Sequence, residues 1–206
     1  MSFVFSDEQL EQLGERAFVV VDGVAGDVAA RAAHAAAHAL VDDNALRPAG
    51  VSRAGAAAPA VRGDLTIFLD DDALPAGFVG VVEALTDVQR ALRQQAWLTL
   101  GRRELQLACY PGGGAGYDRH RDAFRGAVGV TGQRRVTVVL WLNPDWEPAH
   151  GGVLRCFDDD SDGVPRFVDV QPRLDRAIVF MSEQIEHAVL PSFAARYALT
   201  LWLSPA

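Results

Sequence analysis

The second half of the chain is a succession of short apolar segments separated by glycine, proline and aspartate turns. Segments with the composition of strands cover Glu104–Tyr110, Arg135–Asn143, Gly152–Phe157, Arg166–Val170, Ala177–Met181, Glu186–Leu190 and Arg196–Leu203. Short strands at this spacing predict a sandwich or a barrel. This half therefore limits the chain to a fold whose core is mainly β.

The first hundred residues mix helices with strands and are expected to support that core. Helical patterns begin at Ser6, at Asp27 (to Val41) and at Pro75 (to Gln95), and strand patterns cover Phe18–Gly23 and Leu65–Leu69. The interval 44–60 has little periodicity, and a loop of this length is usually functional or disordered. We expect 44–61 to form a lid on a single domain over 1–206, with 1–100 as support and 101–206 as the core.

Composition excludes several classes of protein. The net charge is −8 and the pI is near 5.0, so a phosphate-binding surface is not expected and nucleic acid is excluded as a direct partner. No apolar run approaches the roughly 20 residues needed to span a bilayer. The N-terminal segment turns acidic at Asp7 and lacks the basic region of a signal peptide. Cys109 and Cys156 are then expected to be reduced core residues of a cytoplasmic protein.

A histidine and an aspartate two residues apart, His120 and Asp122, carry the strongest chemical signal. On an extended segment, side chains two apart share one face. Of the four remaining histidines, three lie in helical or turn segments, namely His34, His38 and His150. His187 remains, on a strand-like segment, as the natural third ligand. Two imidazoles and one carboxylate on one face of a metal are the ligand set of non-haem Fe(II) oxygenases, so we predict Fe(II) bound by these three residues.

An arginine nine residues after His187 adds a second signal. Alternation in the last strand puts Arg196, Thr200 and Trp202 on one face. A guanidinium inside a barrel needs a partner, and the distal carboxylate of 2-oxoglutarate is a suitable one. The alternative is a structural salt bridge to an aspartate or glutamate. Tyr110 can offer its phenol to the same carboxylate, or it can be an ordinary buried tyrosine.

The segment between Tyr110 and His120 contains four glycines. It lacks the Gly-Lys-Ser/Thr sequence and the following helix of a phosphate-binding loop. We expect these glycines to form a tight turn that lets the backbone pass close to the metal.

Linked motifs follow one another in order along the chain. They are Arg62-Gly63-Asp64, Cys109-Tyr110-Pro111-Gly112-x-Gly114-x-Gly116-Tyr117-x-Arg119-His120-x-Asp122, Leu142-Asn143-x-Asp145-Trp146, Gly151-Gly152-Val153-Leu154-Arg155, Leu174-Asp175-Arg176, His187 and Arg196-Tyr197-Ala198-Leu199-Thr200-Leu201-Trp202. In these motifs the chain resembles the 2-oxoglutarate- and Fe(II)-dependent prolyl hydroxylases, above all the hypoxia-inducible-factor prolyl hydroxylases and their bacterial relatives. The good match spans roughly residues 100 to 203.

The resemblance implies an α+β fold that is mainly β, a double-stranded β-helix (jelly roll) with helices packed on one sheet. By position it implies His120, Asp122 and His187 as iron ligands, Arg196 as the 2-oxoglutarate anchor, and Tyr110 and Thr200 as lining of that pocket. It also implies that Arg62 and Asp64 close the 44–61 loop over a substrate and that Arg134 stands near the substrate groove. One departure is Trp141, which stands where the animal enzymes place a tyrosine against the distal carboxylate. Because an indole offers only an N–H, we expect a rearranged pocket there.

The resemblance further implies a dioxygenase that hydroxylates a prolyl residue in a protein. It would use Fe(II), 2-oxoglutarate and O₂, release succinate and CO₂, and be supported by ascorbate. Bacterial relatives suggest a translation factor such as elongation factor Tu as the substrate. Hydroxylation of a free amino acid or other small molecule is the alternative, and a non-catalytic sensor of metal or 2-oxoglutarate is another. We expect a monomer or a weak homodimer.

Overall fold

The structure, a computed structural model, describes residues 3–50, 61–123, 133–159 and 165–206. Its helices are α1 (Asp7–Arg16), α2 (Asp27–Asp42) and α3 (Val79–Gln94), with short 3-10 turns at Asp71–Ala73, Ala76–Phe78 and Pro148–His150. Ser6 starts α1 with a capping box, in which its hydroxyl accepts from the Gln9 amide at 3.2 Å while the Gln9 side chain accepts from the Ser6 amide at 2.9 Å. In the described ranges, every helix is too short or too polar to cross a membrane.

The strands form two antiparallel sheets. They are β1 (Phe18–Asp22), β2 (Arg47–Pro48), β3 (Leu65–Leu69), β4 (Leu100–Tyr110), β5 (Ala115–His120), β6 (Val136–Trp141), β7 (Leu154–Asp159), β8 (Pro165–Val170), β9 (Arg176–Met181), β10 (Glu186–Ser192) and β11 (Arg196–Pro205). The larger sheet has the order β1-β9-β6-β11-β4-β3-β2, and the smaller has the order β5-β10-β7-β8. The prediction of a mainly β core in the second half is confirmed.

The larger sheet separates two hydrophobic clusters. One lies between that sheet and the helices, and it includes Leu85, Leu92, Leu140, Leu199 and Leu201. The other lies between the two sheets, and it includes Tyr110, Trp141, Leu154, Cys156 and Ala198. Since strand side chains alternate between faces, each central strand contributes to both clusters. The second cluster borders the space in which the chemically active side chains meet.

Strand β5 is the longest strand that the sequence pattern did not predict. The glycines at 112–114 do turn the chain, each with a positive φ (95°, 68° and 91°), but the backbone is extended from Ala115 and pairs with β10. Glycine is required at 116 in this strand, because the Cβ of any other residue would lie only 2.7 Å from the carbonyl oxygen of Val189, which is too close. The sequence does not indicate this strand, because its residues lack the alternation of apolar and polar side chains that marks a half-buried strand. The predicted glycine turn is therefore present at 112–114, whereas Gly116 lies within β5.

The predicted lid over 44–61 lies mostly outside the described residues, which omit 51–60. In its described part, Arg47 and Pro48 pair with Thr66 and Leu65 of β3. This short pairing extends the edge of the larger sheet next to the cavity described below.

Both cysteines are free and buried, as predicted. Burial raises the pKa of Cys109 to about 11 and that of Cys156 to about 12, so both thiols are protonated at neutral pH. They serve as small apolar side chains, one in each hydrophobic cluster.

Candidate active site between the sheets

Three side chains of the ligand type meet at one end of the space between the sheets. His120 ends β5, and His187 lies directly opposite it on β10. The Nε2 atoms of these histidines lie 3.7 and 3.9 Å from Oδ1 of Asp122, and the ligand atoms of all three residues lie within 4.8 Å of one another. Two imidazole nitrogens and one carboxylate oxygen at these separations suit a divalent metal such as Fe(II). The residues predicted from spacing and elimination are thus brought together.

Neighbouring groups keep both imidazoles available as ligands. Nδ1 of His120 lies 2.7 Å from the carbonyl oxygen of Asp118, and Nδ1 of His187 lies 3.4 Å from that of Ile185. These contacts favour the tautomer with a proton on Nδ1, which leaves the Nε2 lone pair for a metal. Burial, together with the nearby His187, lowers the pKa of His120 to about 4, so this ring is neutral at pH 7.

Asp122 is oriented by two donors on its second oxygen. Oδ2 accepts from the Thr137 hydroxyl at 2.8 Å and from the Trp202 indole Nε1 at 3.0 Å. The Thr137 hydroxyl lies 2.9 Å from that of Ser182. Burial by itself would raise the pKa of Asp122, but the two imidazoles and the indole N–H outweigh it and hold the pKa below its usual value. The carboxylate is therefore ionised and presents Oδ1 to the histidines.

At the other end of the same space lies a buried cation, Arg196, which is 3% exposed. Its Nε donates to the carbonyl oxygen of Gly152 at 2.7 Å. Within the described part of the chain, no carboxylate lies at ion-pair distance from Arg196 and its two Nη atoms make no hydrogen bond. Burial lowers the pKa of this guanidinium, yet an arginine remains charged at neutral pH. A buried charge without a counter-ion is costly, so the geometry favours a bound anion over the structural salt bridge.

Gly152 gives Arg196 room to reach this position. Its φ is +69°, a value that favours glycine, and a Cβ there would lie 2.7 Å from Cδ of Arg196 and 2.8 Å from Oγ of Ser192. A side chain at 152 would therefore displace the guanidinium.

Further donors without acceptors surround the guanidinium. Cζ of Arg196 lies 4.9 Å from the centre of the Tyr110 ring and 5.9 Å from that of Trp141. Trp141 is fully buried, and its indole Nε1 has no hydrogen-bond partner among the described residues. Burial raises the pKa of Tyr110, so its phenol remains a donor. An unsatisfied buried donor costs about 1–3 kcal/mol, and an acceptor ligand would remove that cost.

One cavity of about 930 Å³ holds both ends of the site. Its walls include His120, Asp122, His187, Arg196, Tyr110 and Thr200. The three candidate metal ligands and the buried arginine thus share one space that is large enough for a small dicarboxylate and part of a second substrate.

The residues predicted to face a substrate line the same cavity but bind protein groups. Nε and Nη2 of Arg62 donate to the two oxygens of Asp64 at 2.8 and 2.6 Å, and the Asp64 side chain is buried. Cζ of Arg134 lies 3.5 Å from the centre of the Trp202 ring, and its Nε lies 3.6 Å from Oε2 of Glu104. Arg62 and Asp64 therefore form an internal ion pair, while Arg134 covers the indole that donates to Asp122.

The sequence interpretation missed the residues that hold the ligands in place. The Thr137 hydroxyl donates to Asp122 and contacts the Ser182 hydroxyl, and the Tyr117 ring stacks on the His120 ring. Only Trp202 carried a usable signal, since alternation placed it on the same face as Arg196. Thr137 pairs with Trp202 across the sheet, and this register is not evident from local sequence.

The chain is similar in sequence to a known protein family and to several of its members. A family model described as the 2OG-Fe(II) oxygenase superfamily matches residues 105–204. Prolyl hydroxylase EGLN3 of Mus musculus is 32% identical over 197 residues, which is 92% of this chain and 79% of that protein. The Egl nine homolog 1 proteins of rat, mouse and human are 41% identical over 104 residues, and the match covers only 28%, 24% and 22% of their length.

Solved structures share the fold over almost the whole chain. A prolyl-4-hydroxylase of Pseudomonas putida has a TM-score of 0.81 and 29% identity, covering 97% of this chain and 98% of that one. A prolyl hydroxylase of Trichoplax adhaerens, in complex with a peptide fragment of the hypoxia-inducible-factor oxygen degradation domain, has a TM-score of 0.81 and 25% identity, covering 96% and 87%. These likenesses confirm the predicted jelly roll.

Proposed function

Because the chain belongs to the prolyl hydroxylase family of 2-oxoglutarate- and Fe(II)-dependent oxygenases, we propose that it hydroxylates a prolyl residue of a protein. The observation that carries the proposal is the pairing of two incomplete sites in one cavity. His120, Asp122 and His187 offer lone pairs to a cation, and Arg196 offers an unmatched positive charge to an anion. Fe(II) and 2-oxoglutarate are the cofactor and cosubstrate of this family, and both suit what the cavity lacks.

The metal end would hold Fe(II) through the Nε2 atoms of the two histidines and Oδ1 of Asp122. When bound there, Fe(II) would activate O₂ as the oxidant, so that one oxygen atom would enter a substrate C–H bond, the other would enter succinate, and CO₂ would leave from 2-oxoglutarate. The protein keeps the His120 imidazole neutral and the Asp122 carboxylate ionised, as the pKa shifts described above require.

The anion end would hold the distal carboxylate of 2-oxoglutarate. Among the residues that the structure describes, neither Nη atom of Arg196 has a hydrogen-bond partner, so both are available for a two-point contact with a carboxylate. The Tyr110 phenol and the Trp141 indole are further donors near this guanidinium, and Thr200 lines the same cavity. Fixing the distal carboxylate at this end would leave the 2-oxo acid free to reach the metal end of the cavity and would reduce the entropy cost of reaction.

The proposed substrate is a protein segment that presents a proline at the mouth of the cavity. The Trichoplax adhaerens relative was solved in complex with a peptide fragment of the hypoxia-inducible-factor oxygen degradation domain, which supports a protein substrate. Elongation factor Tu is the bacterial target we propose to test first. Arg62, Asp64 and Arg134 line the cavity where such a segment would enter. Free buried thiols agree with our proposal of a cytoplasmic protein, and we propose a monomer or weak homodimer.

Peptide mass spectrometry tests this function. Lysate from cells that lack the protein is incubated with purified protein, Fe(II), 2-oxoglutarate, O₂ and ascorbate, in parallel with His120→Ala and with His150→Ala, a control outside the cavity. We expect one added oxygen on a proline with the intact protein and with His150→Ala only. Formation of succinate without a modified peptide would favour a small-molecule substrate over a protein substrate. Folded protein that forms no succinate would contradict the oxygenase function and favour a non-catalytic sensor.

A further inference from the structure

The Tyr117 ring lies between an arginine and a metal-ligand histidine. The Tyr117 and His120 rings stack with centroids 3.7 Å apart and an interplanar angle of 18°. Cζ of Arg62 lies 4.3 Å from the centre of the Tyr117 ring. Two groups this close to one ring centre would clash on the same face, so they occupy opposite faces of the tyrosine.

The arginine at the outside of this stack is firmly held. Asp64, whose side chain is fully buried, binds Arg62 through both oxygens at 2.8 and 2.6 Å. Nη1 of Arg62 also donates to the carbonyl oxygen of Gly50 at 3.3 Å. An arginine fixed at two points presents a planar, rigid surface to the aromatic ring.

The backbone supports the same arrangement. β5 is an edge strand of the smaller sheet. Residues 61–63 run along its free edge, where the Gly63 amide donates to the Gly116 carbonyl and the Asp118 amide donates to the Val61 carbonyl, both at 2.9 Å. The metal-ligand strand is therefore attached to the segment that carries Arg62.

His120 needs this support more than His187 does. The His120 side chain is 20% exposed at the last residue of the edge strand, whereas the His187 side chain is 6% exposed. The single contact of His120 Nδ1 with the Asp118 carbonyl fixes one ring atom. The stacked tyrosine restrains the tilt of the whole ring.

We infer that Tyr117 is a positioning residue, through which the Arg62–Asp64 ion pair holds the His120 imidazole at the metal site. The inference rests on the proposed function only in that the site binds a metal. It assigns to Arg62 and Asp64 a task at the metal, in addition to their place in the cavity wall. A substitution in the segment 61–64 would then alter metal binding by way of the Tyr117 ring.

Metal affinity is the expected readout. Groups that orient metal ligands typically change affinity about 10- to 100-fold when removed, so Tyr117→Leu should weaken Co(II) binding by that order. Tyr117→Phe keeps the ring and should bind within about twofold of the unchanged protein. Arg62→Gln should weaken binding about 3- to 10-fold, and this effect should vanish in the Tyr117→Leu background because its route to His120 is gone.

The chain offers a matched control in the same sheet. Arg155 is bound by both oxygens of Asp169 at 2.7 Å, and its Cζ lies 3.7 Å from the centre of the Phe167 ring. Phe167 is 51% exposed and is not stacked on a metal ligand. Phe167→Leu removes the same kind of stack and should leave Co(II) affinity unchanged.

The experiment titrates each folded variant with Co(II) and follows the visible absorption spectrum, which reports the geometry of the ligands. Weaker binding with an altered spectrum in Tyr117→Leu, and a non-additive double variant, support the inference. Unchanged affinity and spectrum in Tyr117→Leu, or additive effects, overturn it while the proposed function stands. If Tyr117→Leu does not fold, Arg62→Gln decides: a spectrum identical to that of the unchanged protein overturns the inference. If the unchanged protein binds Co(II) no better than His187→Ala does, both proposals fail.

Discussion

The two ends of the cavity are incomplete in opposite ways. At the metal end, every ligand has its own supporting contact: a carbonyl behind each histidine and two donors behind Asp122. At the anion end, the described residues offer no acceptor to either Nη atom of Arg196 or to the Trp141 indole N–H. One end is short of positive charge and the other of negative charge. A molecule with a 2-oxo acid at one end and a carboxylate at the other, bound together with a metal, satisfies both.

The difference also shows what each end tolerates. The metal end is preorganised by protein groups, so removing a support misplaces a ligand that is still present. At the anion end, the Nη atoms of Arg196 and the Trp141 indole N–H make no hydrogen bond to the described residues, so removing one of these donors should weaken ligand binding without disturbing a protein network. Substitutions at the two ends should therefore affect different measurements.

His187→Ala should produce the largest effect, confined to the metal end. Two ligand atoms remain, and Fe(II) held by one imidazole and one carboxylate binds far more weakly than with the full set. We expect succinate formation to fall at least about 1,000-fold, as expected when the group that carries the chemistry is lost. Succinate release and Co(II) titration measure this, with His150→Ala as the control. Turnover within tenfold of the unchanged protein would show that another residue completes the site.

Thr137→Val should weaken metal binding by about 10- to 100-fold, since it removes a donor to Asp122 with little change in shape. The distal carboxylate should still be bound as before once the metal is saturated. Thr86→Val is a matched control, because the Thr86 hydroxyl bonds to the Val82 carbonyl and Arg103, away from the cavity. Calorimetric titration with Zn(II), followed by 2-oxoglutarate, separates the two steps. A loss confined to the second step would contradict the division between the ends.

Trp141→Phe should weaken 2-oxoglutarate binding by about tenfold and leave metal affinity unchanged, because a hydrogen bond to a charged group contributes about 1.5–3 kcal/mol. Indole N–H resonances of the Zn(II)-loaded protein provide a direct readout. The Trp141 resonance should move downfield when 2-oxoglutarate is added, as its N–H gains an acceptor. That of Trp146, which already donates to the Gly151 carbonyl at 2.9 Å, should stay in place. A Trp141 resonance that does not move at saturating 2-oxoglutarate would contradict the claim that the Trp141 indole donates to the cosubstrate.

The sequence predicted the ligands better than their supports. His120, Asp122, His187 and Arg196 are recognisable because their chemistry restricts the choice of residue type. The pairing of His120 with His187 depends on the register of β5 and β10, and β5 itself is too polar to read as a strand. Supports such as Thr137 are ordinary residues whose role arises only from the neighbour that the sheet gives them.

Arg62 and Asp64 illustrate the same limit. Their motif indicated a place near the substrate, but the sequence could not reveal that they bind each other and that Arg62 packs on Tyr117. Spacing alone does not distinguish an internal ion pair from a pair that faces a ligand, since both need the same residue types.

The most direct test of the central claim compares two ligands that differ only at the anion end. Zn(II)-loaded protein is titrated with 2-oxoglutarate and with 2-oxobutanoate, which keeps the 2-oxo acid but lacks the distal carboxylate. We predict that 2-oxoglutarate binds at least about 30-fold more tightly, as expected for a two-point contact between a buried guanidinium and a carboxylate. Arg196→Met should abolish this preference by weakening 2-oxoglutarate binding alone. A preference that survives in Arg196→Met, or that is absent from the unchanged protein, would contradict the assignment of the anion end to the cosubstrate.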